Sequence, residues 1–248
     1  MLVSPRNPLN IGAAARAMAN FGFARLAVVA PYEPHWREAQ SAVGAQKILR
    51  NARLCATLHE ALADCTLVLG TGTVTHRKPE QPVILLPQLA DLIRSEIGRS
   101  RSAPRIALVF GPEKRGLTRD HLALCRRMIV IPTAPSQPSM NLGQAVAVCL
   151  YELAARIASP ATESGLTDLA PKFREAAPDN HSPATAAQLD RLAGVIEETM
   201  QAAHRSAPHR HAANRRDLDL LLRRLALGAS DATRILGLFR RILWRLCR

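Results

Sequence analysis

Aromatic residues are scarce here: two Trp, two Tyr and five Phe make up 4% of 248 residues. So few rings argue against a base-stacking platform of the kind that single-strand nucleic-acid binders use. Cys55, Cys65, Cys125, Cys149 and Cys247 are an odd number with no CxxC spacing. That excludes a disulfide framework and a zinc site, and suits small buried apolar residues in a reducing compartment. No apolar run reaches the roughly 18 residues that a membrane helix needs. The N-terminal stretch lacks the charged, apolar and small-residue zones of a signal peptide. The expectation is a cytoplasmic protein without a membrane partner. Neither GxGxxG nor GxxxxGK[ST] occurs, which disfavours a Rossmann dehydrogenase and a P-loop protein.

What the sequence has is positive charge and enough apolar residues for a core. Lys plus Arg number 33 against 20 Asp plus Glu, a net charge of +13. Such a surplus points to a polyanionic partner, with nucleic acid ahead of a membrane surface and solubility alone as the bland alternative. Residues 1–171 hold 19 basic and 12 acidic side chains, and residues 172–248 hold 14 and 8, so the tail is the more densely basic part. Hydrophobic residues make up 48% and charged ones 21%, the balance of a folded chain.

Through residues 1–158, short aliphatic runs alternate with helical patterns. Candidate strands are Met1–Val3, Leu26–Val29, Thr66–Leu69, Ile106–Phe110 and Met128–Ile131. Most are apolar throughout, as strands buried on both faces of a parallel sheet are. Helical stretches fall at Ile11–Asn20, around Trp36–Leu49, and at Thr57–Ala63, Leu86–Ile97, Thr118–Leu124 and Leu142–Ala158. This rhythm predicts an α/β domain with a mostly parallel sheet flanked by helices. Residues 159–183, punctuated by Pro160, Pro171, Pro178 and Pro183, read as a linker. Residues 184–248 read as a small all-α domain. Leu218, Leu221, Leu222 and Leu225 repeat at helical spacing, as do Ile235, Leu238, Ile242 and Leu246. Gly228 stands where the first of these helices should stop, and Ser230 where the second should be capped.

Three motifs sit at strand ends. Asn10 to Arg16, with Gly12 to Ala15 between them, combines a candidate N-cap, small residues that permit close approach, and a cation. Phe110-Gly111-Pro112-Glu113-Lys114-Arg115-Gly116-Leu117-Thr118 is a Gly-rich turn that runs from a buried strand to a Thr cap. Ligands in open α/β sheets bind outside the carboxyl ends of strands, where this turn lies. The third runs Ile131-Pro132-Thr133, then Pro138-Ser139-Met140-Asn141-Leu142-Gly143-Gln144-Ala145. Each also has a plain structural reading: Asn10, Ser139 and Asn141 as caps, Arg16 as a surface charge, and Glu113 as a brace for its own loop.

Taken together and in this order, the motifs resemble the three signatures of the SpoU/TrmH family of SPOUT methyltransferases. Those signatures are N-x-x-x-x-x-R, F-G-x-E-x-x-G-[LV]-[ST], and S-[LM]-N before a small-residue helix. The stretch Ile131 to Leu153 and the helical tail are similar to the TrmJ branch in particular. The resemblance implies a knotted α/β domain over 1–158, with S-adenosylmethionine held by Thr71, Gly72, Thr73, Gly111, Ile131, Met140, Asn141 and Leu142. It implies 2′-O-ribose methylation of RNA, with Arg16, Asn10, Glu113, Ser139 and Asn141 as the catalytic set. In this reading Arg16 either takes the hydroxyl proton or holds an RNA phosphate that does, since a guanidinium with a pKa above about 12 is a reluctant base.

The same resemblance implies a homodimer, with helix 142–158 as a plausible interface element. It also implies tRNA as substrate, at cytidine or uridine 32 of the anticodon loop. Ribosomal RNA as substrate and an inactive RNA-binding scaffold are the alternatives. Lys114, Arg115, Arg16, Arg215, Arg216, Arg223, Arg224, Arg240 and Arg241 are the candidate RNA contacts, each with a solvated helix face or loop as its alternative. Family members usually show a few more residues before the first motif, so a late start and a frayed first strand are further expectations.

Overall fold

The computed structural model describes residues 1–34, 36–74, 79–99, 104–157, 182–203 and 211–247. The linker expected at 159–183 lies outside the described residues except for its last two positions. Strands β1 (Leu2–Val3), β2 (Ala27–Val29) and β3 (Arg53–Cys55) form a parallel ladder in that order. Strands β4 (Leu67–Thr71), β5 (Val83–Leu85), β6 (Ile106–Val109) and β7 (Arg127–Val130) form a second, in the order β5-β7-β4-β6 and again parallel throughout. The two ladders join where β1 meets the end of β6. Val3 N donates to Phe110 O at 2.8 Å, and Phe110 N donates to Met1 O at 3.0 Å. The combined sheet runs β3-β2-β1-β6-β4-β7-β5. The first strand, expected to fray, is an interior strand of it, paired on both sides, with Leu2 and Val3 each 1% exposed.

Alternation along each strand feeds two cores. Leu2, Val28, Leu67, Leu69 and Ile129 face one cluster with helices α1 (Pro8–Asn20), α2 (Gln46–Arg50), α4 (Leu89–Arg99) and α6 (Leu142–Ile157). Val3, Val29, Val68, Ala107, Val109 and Met128 face the other, under α3 (Leu58–Leu62) and α5 (Arg119–Ala123). Both faces of the sheet are therefore covered, the condition that lets parallel strands be apolar throughout. β3 and β5, the two edge strands, are absent from the strands expected from sequence. The helix expected around Trp36–Leu49 is also not continuous. A short 3-10 turn, Trp36–Glu38, is separated from α2 by Gly44, whose φ is 74°.

The tail folds as α7 (Ala186–Ala202), α8 (His211–Leu225) and α9 (Ala229–Leu246) around Leu189, Leu192, Ala193, Leu222 and Ala232. It docks on the α/β domain through backbone: Ala186 N donates to Cys65 O at 3.0 Å and Ala187 N to Ala63 O at 3.2 Å. Two details differ from the sequence reading. Ala226, at φ 49°, makes the left-handed turn after α8 that Gly228 was expected to make. Gly228 is instead the N-cap of α9, in place of Ser230, and it contributes no side-chain bond. Of the tail residues that repeat at helical spacing, Leu221, Leu225, Leu238, Ile242 and Leu246 are exposed and Leu222 is buried. Four of the cysteines are buried, and burial pushes the thiols of Cys125 and Cys149 up to about 12. Cys247 is exposed, contrary to expectation.

Candidate active site

The site is assembled from α1 outward. Asn7, not Asn10, is the N-cap of α1: its Oδ1 accepts from Leu9 N at 2.9 Å, and Pro8 follows at the first helical position. Proline there has the right φ and no amide to leave unsatisfied, so the helix starts earlier than the apolar pattern suggests. Asn10 is thereby released from capping and faces the other two motifs. Its Nδ2 donates to Glu113 Oε1 at 2.8 Å, and its Oδ1 accepts from Asn141 Nδ2 at 2.9 Å. Asn141 Oδ1 in turn accepts from Gly143 N at 2.9 Å and caps α6. One line of amides and a carboxylate ties α1 to two segments that each lie more than a hundred residues further along the chain.

Glu113 is the most heavily engaged member. Besides Asn10, it accepts from the backbone N–H groups of Arg6 and Asn7, each at 3.2 Å. Partial burial pushes its pKa up. The hydrogen bonds from the Asn10 amide and from the backbone of Glu113, Arg6 and Asn7 outweigh that, and the carboxyl stays below its ordinary value. A carboxylate at the N-terminus of α1 is also favoured by the helix dipole. In this geometry Glu113 braces its loop against α1. Arg6 and Asn7 were missed from sequence because backbone donors carry no side-chain signature.

The turn that presents Glu113 depends on glycine. A Cβ on Gly111 would lie 2.3 Å from the backbone of Gly116 and Leu117. Gly116 closes the turn with φ 63° and an N–H that donates to Pro112 O at 2.8 Å. Thr118 caps α5 as expected, accepting from His121 N at 3.1 Å.

Beside this turn, at the carboxyl ends of β4, β6 and β7, lies a cleft of about 240 Å³. Thr71, Gly72 and Thr73 line one side, Gly111 another, and Ile131, Met140 and Leu142 a third. Thr71 Oγ1 donates to Val109 O at 3.0 Å and Gly72 N to Ile129 O at 3.1 Å, which fixes the β4 loop to both neighbouring strands. The walls mix hydroxyls and backbone with aliphatic and thioether groups, a surface suited to a ligand with a polar and an apolar half. Every residue expected at the methyl donor lines this cleft except Asn141, which is turned to Asn10 and Gly143. Glu113, Lys114, Arg115 and Ser139 line it too, with Lys114, Arg115 and Ser139 exposed. Thr133 and Pro138, quoted in the third motif but not as lining, also border it.

Arg16 is exposed on α1 and is not part of the cleft wall of its own chain. The tail arginines divide. Arg223 is 6% exposed, which removes it from the candidate RNA contacts. Arg215 is engaged by Asp190, by Glu197 at 3.7 Å and by Asp219 at 3.4 Å, a clamp of α8 on α7 rather than a phosphate contact. Arg216 pairs with Asp120 of α5 at 3.6 Å. Arg224, Arg240 and Arg241 are exposed. No group of His, Cys, Asp or Glu among the described residues is arranged to hold a metal. No described helix is long and apolar enough to cross a membrane.

Residues 1–151 match the family described as the SpoU rRNA Methylase family. The chain is similar to the tRNA (cytidine/uridine/adenosine-2′-O-)-methyltransferase TrmJ of Pseudomonas aeruginosa (strain UCBPP-PA14). The two are 36% identical over 201 residues, 81% of this chain and 76% of that one. It is 34% identical to the tRNA (cytidine/uridine-2′-O-)-methyltransferase TrmJ of Salmonella typhimurium over 202 residues, 81% of this chain and 77% of that one. Among solved structures it is similar to TrmJ from Z. mobilis ZM4, with a TM-score of 0.78 and 30% identity, covering 97% of this chain and 96% of that one.

Proposed function

Because the chain belongs to the SpoU rRNA methylase family it is an S-adenosylmethionine-dependent methyltransferase, and we propose that it methylates a ribose 2′-hydroxyl of tRNA. The observation that carries this reading is the cleft at the carboxyl ends of β4, β6 and β7, with Lys114 and Arg115 exposed on its wall. The tRNA 2′-O-methyltransferases named above, similar to this chain over most of its length, support tRNA as the substrate. Within tRNA we place the target at cytidine or uridine 32 of the anticodon loop. We further propose a cytoplasmic homodimer. β7, inserted between β4 and β5, with α6 behind it is the segment we assign to the trefoil knot.

When bound, S-adenosylmethionine supplies an electrophilic methyl group on a sulfonium. The chain's own residues then orient the hydroxyl that attacks it. In this proposal Asn10 and Asn141 hold the α1 and α6 loops at the cleft, and Glu113 keeps the turn of the second motif in register with them. Ser139, exposed on the cleft wall, meets the ribose. Arg16 lies outside the cleft of its own chain, and we propose that it serves the cleft of the partner copy in the dimer. There it holds an RNA phosphate and orients the ribose. Forming the new C–O bond would break the donor's C–S bond, and the hydroxyl proton would leave past that phosphate to solvent, because a guanidinium is already protonated and has no lone pair to take it.

The test is transfer of labelled methyl from S-adenosylmethionine to unmodified bulk tRNA and, separately, to ribosomal RNA, with product nucleosides read by mass spectrometry. A 2′-O-methylated pyrimidine in tRNA, lost in Arg16→Ala, is the expected result. Label in ribosomal RNA alone keeps the reaction and overturns the substrate. Donor binding without transfer to either RNA overturns the enzymatic reading in favour of an RNA-binding scaffold.

A further inference from the structure

At the opposite end of β4 and β7 from the donor cleft, a second cavity of about 170 Å³ opens where the tail docks on the α/β domain. Arg99 at the end of α4 and Arg126 just before β7 line it from the domain, and Arg223 of α8 lines it from the tail. Its one lining carboxylate, Glu96, is already taken: Arg126 Nη1 reaches its two oxygens at 3.0 and 3.2 Å. Arg223 is in a different position. Its side chain is nearly fully buried, yet its Nε has no hydrogen-bond partner. Burial pulls this guanidinium below its ordinary pKa, while the charges of Asp219 and Asp190 push back. Asp219, one turn earlier, receives a bond from Arg215 Nε at 3.4 Å.

Burying a cation is costly unless opposite charge faces it, and the walls of this cavity carry three guanidinium groups against the single carboxylate of Glu96. A guanidinium fork matches an oxyanion better than it matches a halide or water. We propose that this cavity binds a small oxyanion of the inorganic phosphate class, held between Arg223 of the tail and Arg99 and Arg126 of the domain. The bound anion bridges the two parts of the chain, so its occupancy and the docking of the tail are linked. The site is separate from the donor cleft, and the inference stands whichever RNA the enzyme modifies.

Thermal unfolding of the full chain, with phosphate replacing chloride at constant ionic strength, tests it. A saturable rise in Tm of about 2–4 °C is expected. Arg223→Met, an apolar replacement of the kind buried ion sites commonly tolerate, should abolish the rise. Arg99→Ala, at an exposed position, should raise the apparent Kd for phosphate several-fold. A rise that never saturates, or that persists unchanged in Arg223→Met or Arg99→Ala, is the general stabilisation that excluded anions give any protein and overturns the proposal. A short 5′-phosphorylated RNA oligonucleotide forms the other arm. It should add nothing beyond its unphosphorylated counterpart, and saturation by it would assign the cavity to RNA and overturn the free-anion reading.

Discussion

Asn10 shows how little of a residue's role follows from its type alone. As the asparagine immediately before an apolar helical pattern it reads as a cap. With Asn7 capping in its place, its amide instead joins Glu113 to Asn141. Asn10→Asp keeps the size and replaces the donor facing Glu113 with a second carboxylate. Like charges at this distance repel, and displacement of a positioning group by about 1 Å is enough to lower turnover by about 10- to 100-fold. Initial rates at saturating RNA check this, with circular dichroism to confirm the fold. An unchanged rate would show that the line of amides has no bearing on the chemistry. Glu113 makes a separate prediction through pH. Its pKa is held below the ordinary value near 4.5, so its contribution to stability is complete above that value and is lost as pH falls through the folded-state pKa. Denaturant unfolding of the native protein and of Glu113→Gln should therefore differ most near neutrality and converge in acid. A gap that widened in acid would mean the carboxylate is not what the amides hold.

At the level of elements, the motifs and the central strands were legible because their signals are local: glycine at a turn, proline before a helix, aliphatic runs on strands covered from both sides. β3 and β5 were not, since edge strands such as Val83–Leu85 keep large side chains in solvent and show no buried run. Asn7 escaped notice for a similar reason, because Pro8 and not the apolar pattern sets the start of α1. Arg215 and Arg223 were misjudged because charge composition cannot distinguish a phosphate contact from a clamp between helices. The α1–α6 pair is a case where sequence gave the small residues and structure gave their partner: a Cβ on Gly143 would lie 2.7 Å from Ala13 Cβ. Gly143→Ala gains about 1 kcal/mol of helix propensity but forces these helices apart, an overpacking cost of about 1–3 kcal/mol. Urea unfolding should show a net loss of stability; a gain would mean that α6 shifts freely on α1.

For the molecule as a whole, positive charge is distributed by depth. Arg223 is enclosed, Arg215 is neutralised by its neighbours, and Arg224, Arg240 and Arg241 remain on the surface. Of these five, only the three surface arginines can release counterions from RNA. Replacing Arg240 and Arg241 together by Ala should lower the slope of log K against log salt by about 1.4–1.8, while Arg223→Met should leave it unchanged. Filter binding of tRNA across a salt series measures both, and equal slopes for all three proteins would put the RNA elsewhere.

The interior place of β1 has a consequence for synthesis. Its neighbour on one side is complete by Val29, whereas Phe110 on the other belongs to a segment made about 80 residues later. At about 5–20 residues per second, a ribosome leaves the β1–β3 half-sheet waiting for several seconds with an unpaired apolar edge at what will become the middle of the protein. That interval, rather than anything in the finished fold, is when this chain most needs a chaperone at the exit tunnel.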